Sequence, residues 1–184
     1  VEKCFLHVTG GEEYFHNFHI DAISHQVNEI LAGRVKRLIV NIPPRNLKSV
    51  CFSVALPAFL LGLKPNTNIV CVSYSQDLAD PLGLACLNVM QSDWYKELFP
   101  ATKISNKAAS KSDFRTTKQG GRLATSIEGT LTGKGGDVII IDDPSKADDS
   151  ANDNRLKKVI NWYTGTLQSR LNNQITGVIV LVMQ

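Results

Sequence analysis

The sequence predicts a three-layer α/β fold with a mostly parallel central sheet. Two observations predict it. Short aliphatic runs with no polar alternation recur at residues 38–42, 68–74, 138–141 and 178–183, as in strands covered on both faces. Stretches with helical spacing or helix-compatible composition separate them. At 184 residues, 43% of them hydrophobic, the chain suffices for one domain with a sizeable core.

The elements follow in order. Residues 18–32 place Ile20, Ile23, Val27, Ile30 and Leu31 on one helical face, and Gly33 follows as a C-cap. Residues 38–42 form the first strand. Residues 49–61 read as a helix bent at Pro57, and 62–68 as a turn-rich link to the second strand. Residues 75–92 look helical, with Pro81 and Gly83 as interruptions. Residues 101–120 are rich in Lys, Ser and Thr and make a surface excursion with a hairpin. Residues 122–127 alternate like a strand, and a glycine-rich loop spans 130–136. The run 138–141 closes on Asp142-Asp143-Pro144. Residues 148–171 read as one long helix, with acids from Asp148 to Asn154 at its N-cap and first turn. The last strand ends the chain with no turn after it, and Val1 is not an initiator methionine, so a fragment with its C-terminal part missing is expected.

Composition narrows the function classes. A net charge of +3 does not by itself argue for nucleic acid. Cys4, Cys51, Cys71 and Cys86 are scattered without a Cys-x-x-Cys pair, and they read as core thiols of a reducing compartment. No stretch is long and apolar enough to span a bilayer, and the N-terminus lacks the regions of a signal peptide, so a soluble intracellular protein is expected.

In open α/β sheets ligands sit at the carboxyl ends of the strands, and two candidate groups fall there. The first is Asn41-Ile42-Pro43-Pro44-Arg45-Asn46-Leu47-Lys48-Ser49, between a strand and a helix. Strand, tight loop, Lys-Ser and helix is the layout of a phosphate-binding loop. An ammonium at a helix start reaches the β- and γ-phosphates, and the Ser49 hydroxyl suits Mg²⁺. Both glycines of G-x-x-x-x-G-K-[ST] are missing, replaced by Ile42 and Leu47. Pro43 and Pro44 fix φ and restore rigidity, whereas Leu47 stands where the backbone needs an unusual φ. Arg45 is placed to cross to the γ-phosphate as an internal arginine finger. The second group is the tandem Asp142-Asp143, 94 residues after Lys48 with a further core strand between, which suits a nucleoside triphosphatase with an inserted strand. The first acid would hold Mg²⁺ and the second polarise the attacking water.

Three segments together resemble the large terminase subunit of tailed bacteriophages and prophages, the motor that pumps DNA into a capsid. They are Pro-Pro-Arg-Asn-Leu-Lys-Ser, Val72-Ser73-Tyr74-Ser75-Gln76-Asp77-Leu78-Ala79, and the run from Gly129 through Leu131-Thr132-Gly133-Lys134-Gly135 to Asp142-Asp143-Pro144. The similarity runs from about His19 to Gln184. It implies an additional-strand P-loop ATPase core across residues 1–184, using ATP and Mg²⁺. Pro44, Arg45, Asn46, Leu47, Lys48 and Ser49 would surround the phosphates, and Ser49 and Asp142 would hold the metal. Asp143 falls where many members carry a catalytic glutamate one methylene longer. The resemblance also implies a glutamine that reads adenine, with Gln26 as candidate, and a basic loop residue, Lys134, that reaches a neighbouring subunit's nucleotide. It implies a nuclease domain beyond Gln184, absent here. It implies as partners double-stranded DNA bound without sequence preference, a portal protein, a small terminase subunit and a homo-oligomeric ring, in the cytoplasm of a bacterial host. Lys103, Lys107, Lys111, Arg115 and Lys118 form a loose basic tract that reads either as DNA contact or as solvated surface. Two other functions share these residues: a docking or DNA-binding module that has lost nucleotide, and a helicase-like motor.

Overall fold

A computed structural model describes residues 1–127, 129, 133–145 and 153–184. Seven strands form one sheet in the order β1-β7-β6-β2-β5-β4-β3: β1 (Arg37–Asn41), β2 (Asn68–Ser73), β3 (Ile104–Ala109), β4 (Asp113–Thr116), β5 (Gly121–Ser126), β6 (Val138–Asp142) and β7 (Val178–Met183). β1, β7, β6, β2 and β5 run parallel, and β4 and β3 add an antiparallel edge. β6 is buried along its whole length, as its run of aliphatics requires. The last strand of the chain is the one inserted between β1 and β6. Chain order does not disclose that position, because parallel neighbours are joined by crossovers of any length.

Helices cover both faces. α1 (Glu2–Thr9), α2 (Phe18–Leu31), α3 (Leu56–Leu63), α4 (Gln76–Gln91) and α5 (Asp93–Leu98) pack their apolar sides into the larger cluster, with Phe52, Leu61, Ile140 and Val180 at its centre. α6 (Asp153–Trp162) leads into a π turn, Tyr163–Leu167, and a 3₁₀ turn, Gln168–Arg170, and Leu167 and Leu171 cover the opposite face against Val70, Ile139 and Ile179. Ala32 caps α2, and Gly33, the next residue, takes φ 73° and turns the chain away in the left-handed conformation, one position later than expected.

Four expectations need correction. β1 is an edge strand that alternates between half-buried and exposed residues, with Ile39 67% exposed, because Leu38 and Val40 face the larger cluster while the opposite face of the strand is left open. α4 runs unbroken through Pro81 and Gly83. Pro81 costs one hydrogen bond near the first turn, and Gly83 fills a place that no side chain could: a Cβ there would lie 2.0 Å from the Lys111 carbonyl oxygen. The 49–61 helix begins as a π-helix, Val50–Ala55, and becomes α-helical only at Leu56, beside Pro57. The long helix of 148–171 is α6 plus the two tighter or wider turns; its expected start at 148–152 lies outside the described residues. Two short helices, α1 and α5, went unmarked by periodicity, since eight and six residues span too few turns to establish it.

All four cysteines are buried and free. Burial raises every thiol, Cys51 to about 11 and Cys86 to about 12. At pH 8 roughly one Cys51 in a thousand is then a thiolate. We expect no reaction with Ellman's reagent in the native chain over minutes, and release of four equivalents after denaturation. Among the described residues no helix is long and apolar enough to cross a membrane.

Candidate active site

The loop leaves β1 and turns back over the sheet's carboxyl edge. The Ile42 N–H donates to the Met183 carbonyl at 3.2 Å, so the position of the first lost glycine simply prolongs the strand pairing. The Asn46 side-chain amide donates to the carbonyls of Pro43 (3.3 Å) and Pro44 (3.1 Å) and braces the turn. Arg45 and Leu47 take φ of 64° and 61°. The second lost glycine is therefore replaced by a leucine in the left-handed conformation itself. Its side chain is half-buried and packs against the core, which holds the strained backbone and keeps the leucine off the rim. Arg45 is exposed.

Arg45 gives a test of this strain. A left-handed conformation costs an ordinary L-residue about 1 kcal/mol. With no packing to lose, Arg45→Gly is expected to keep or raise the free energy of unfolding measured in urea, by at most that amount. A lower value would show the loop to be unstrained.

Lys48 and Ser49 open the helix that follows. Lys48 is buried, and its Nζ donates to Asp143 Oδ1 at 2.6 Å across 95 positions of sequence. Asp143 stands just past β6 with φ 49°, a conformation aspartate tolerates better than most residues. Its backbone is fixed on both sides: its N–H donates to the Val182 carbonyl at 3.0 Å, and its carbonyl accepts from the Tyr74 N–H at 3.1 Å. The tips of β7, β6 and β2 thus converge on this one residue. Asp142 is 1% exposed at the end of β6. Its Oδ2 accepts from the Ser53 hydroxyl at 2.7 Å, and its Oδ1 has no hydrogen-bond partner among the described residues. Burial pushes this carboxyl above the usual range, and the hydroxyls of Ser53 and Ser49 act against that rise.

The structure therefore brings together Arg45, Asn46, Lys48, Ser49, Asp142 and Asp143 on one rim, with Leu47 in the loop and its side chain turned into the core. The donor set suits a hard divalent cation: the Ser49 hydroxyl beside Asp142, the Asp142 oxygen without a hydrogen-bond partner among the described residues, and a second acid adjacent. Gln26 is half-buried on α2. Lys134 pairs with Asp113 at 3.0 Å and borders a pocket of about 240 Å³ with Asn68, Arg115 and Asn172. That pocket lies at the amino ends of β2 and β5, the side of the sheet away from Lys48. Within the basic tract, Lys111 is tied to Asp80 and Arg115 to Asp113, while Lys103, Lys107 and Lys118 are exposed.

Sequence reasoning missed Ser53, which touches Asp142, and Arg122, whose Nη2 donates to the Ser53 carbonyl at 3.0 Å. Two signals mark them. Ser53 lies one helical turn after Ser49, hence on the same face. Arg122 is the one charged residue in the strand 121–126.

A parallel sheet with a Lys-Ser loop after one strand, an Asp-Asp tip two strands away and a strand inserted between defines a P-loop nucleoside triphosphatase fold of the additional-strand type. Solved structures of that class resemble it across almost the whole chain. A point variant of the large terminase ATPase domain of Thermus phage P74-26 aligns with TM-score 0.62 and 14% identity, covering 97% of this chain and 68% of that one. The unaltered domain from the same phage gives 0.59, 14%, 97% and 67%. The large terminase of bacteriophage HK97 gives 0.58 and 17%, covering 95% of this chain but only 34% of its own length. No family model and no curated protein matches the sequence.

Proposed function

We propose that this chain is the ATPase part of a terminase-type motor, hydrolysing MgATP to move double-stranded DNA into a viral capsid. The observation that carries the reading is the 2.6 Å contact between Lys48 and Asp143, which fixes the loop and the tandem acids on a shared rim. The likeness to phage terminase ATPase domains supports it at the level of fold.

When bound, Mg²⁺ would neutralise charge on the β- and γ-phosphates. Ser49 and the free oxygen of Asp142 would hold it. Lys48 would exchange its contact with Asp143 for the phosphates, and Asp143, so released, would orient a water for in-line attack. Arg45 would lie across the γ-phosphate and stabilise charge that develops in the transition state. Asp143 is one methylene shorter than glutamate, so its backbone must stand closer to the water; its anchoring between β7 and β2 sets that position. DNA would be held through its phosphates by Lys103, Lys107 and Lys118, in a salt-sensitive and sequence-independent manner. A portal protein, a small terminase subunit and a ring of like subunits are the partners this function requires.

Steady-state phosphate release from the 184-residue chain tests the enzymatic reading. Release that requires Mg²⁺ and stops with EDTA supports it. No saturable nucleotide binding and no release by the folded chain, alone or with DNA, would favour a docking module that has lost nucleotide.

A further inference from the structure

Resting on the metal site just proposed, we infer that Ser53 and Arg122 are positioning residues for Asp142, forming a buried relay that aims its free oxygen at the divalent cation.

The relay starts with a defect in the helix. In an α-helix the Ser53 carbonyl would accept from the N–H four residues on, and that residue is Pro57, which has none. The helix answers with π geometry over Val50–Ala55, the Leu56 N–H reaching back to the Cys51 carbonyl. The Ser53 carbonyl takes its donor from another element: Arg122 Nη2, at 3.0 Å, reaching across from β5. Arg122 is 1% exposed, the largest side chain so completely buried. Its Nε and Nη1 have no hydrogen-bond partner among the described residues. Gly83 makes the room: a Cβ there would stand 2.9 Å from Arg122 Nη1. Burying a guanidinium with unsatisfied donors is costly, and a core built for stability alone would place an aliphatic residue here. Beside the Cys71 thiol, which its guanidinium also meets, Arg122 holds one carbonyl through Nη2, and that carbonyl belongs to the residue whose hydroxyl grips Asp142 at 2.7 Å.

The consequence is geometric. A carboxylate with both oxygens free can rotate about its Cβ–Cγ bond. With Oδ2 committed to a fixed hydroxyl, Oδ1 is left as the lobe free to bind. Groups that orient a metal's ligands in this way are worth 10- to 100-fold in affinity or activity.

The test measures metal rather than turnover. Mn²⁺ is titrated, by its free-ion paramagnetic resonance signal, into the 184-residue chain saturated with a non-hydrolysable ATP analogue. For Ser53→Ala the Mn²⁺ dissociation constant is expected to rise about 10-fold, while analogue binding in EDTA stays within about twofold of the original chain. Arg122→Met, which removes the donor to the Ser53 carbonyl but keeps an unbranched apolar stem, is expected to raise the constant in the same direction. The double variant should be no weaker than Ser53→Ala alone, since both act through one oxygen. If Ser53→Ala melts early, Arg122→Met decides. Unchanged Mn²⁺ affinity in a folded variant, with only its melting temperature altered, overturns the relay. If the original chain itself gives no saturable Mn²⁺ and analogue binding, the metal site fails, and the relay with it.

Discussion

Lys48→Ala is expected to lower ATP turnover by at least 100-fold and to weaken nucleotide binding. The ammonium is buried at the start of the post-loop helix, where its charge adds to that of the helix N-terminus. Removing a single preorganised donor from a phosphoryl or oxyanion site costs about 10²- to 10³-fold in rate. A second effect runs through the nucleotide-free protein. Lys48 is the counter-ion of Asp143, whose side chain is 18% exposed. Without it a mostly buried carboxylate is left unpaired, so Lys48→Ala should also lose roughly 1–3 kcal/mol of stability. Lys48→Met separates the two losses no better, since it too abandons Asp143. The pair Lys48→Ala with Asp143→Ala does separate them: stability should return towards that of the original chain while turnover stays abolished. Phosphate release and urea melts on the three variants check both halves. Turnover surviving in Lys48→Ala would remove the loop from the mechanism.

Asp142→Asn is expected to stabilise the nucleotide-free domain and to abolish hydrolysis. The carboxyl is 1% exposed, and burial raises its pKa from 3.8. The sign follows from linkage. A raised value means that the folded state binds the proton more tightly than the unfolded one. The group's stabilising contribution is fully present below pH 3.8 and is lost as pH rises through the raised value. Above that value the original chain carries a buried charge that the amide does not, and there the variant should be the more stable. The amide oxygen still accepts from Ser53, but the neutral group is a far poorer magnesium ligand, and turnover should fall at least about 100-fold. Saturating Mg²⁺ and nucleotide should reverse the order of stabilities, because only the original chain then gains the binding free energy. Thermal melts with and without MgATP analogue show this crossing. An Asp142→Asn domain less stable than the original without ligand would mean that the carboxylate serves the fold and not a cation.

Much of this was legible before any coordinates. Residues 68–74, 138–141 and 178–183 read as buried strands because each lies inside the sheet with both faces covered, and aliphatic runs report that directly. Lys48, Ser49, Asp142 and Asp143 could be placed at strand tips from their flanks alone. Residues 38–42 misled for the same reason: the run is apolar, but only the Leu38 and Val40 face of the strand is covered, and nothing local says that the other face is open. α4 misled in the other direction, because Pro81 and Gly83 break helices by propensity, while the packing against Lys111 and Arg122 requires the small residue. The left-handed Leu47 was foreseeable as a problem, since a glycine was missing; its solution, a side chain turned into the core, was not. Ser53 and Arg122 lie 69 residues apart, and no spacing rule connects a strand arginine to a helix carbonyl. The orphaned carbonyl opposite Pro57 was the one local hint.

Equilibrium titration of the 184-residue chain with a fluorescent ATP analogue and Mg²⁺ tests the central claim most directly, namely that a loop without glycines still holds a triphosphate against the tandem acids. Saturable binding in the micromolar range, weakened at least about 10-fold in Lys48→Ala and dependent on Mg²⁺ in the original chain but not in Asp142→Asn, is the predicted result. Binding that is absent in the folded domain, or equal in all three proteins, contradicts it.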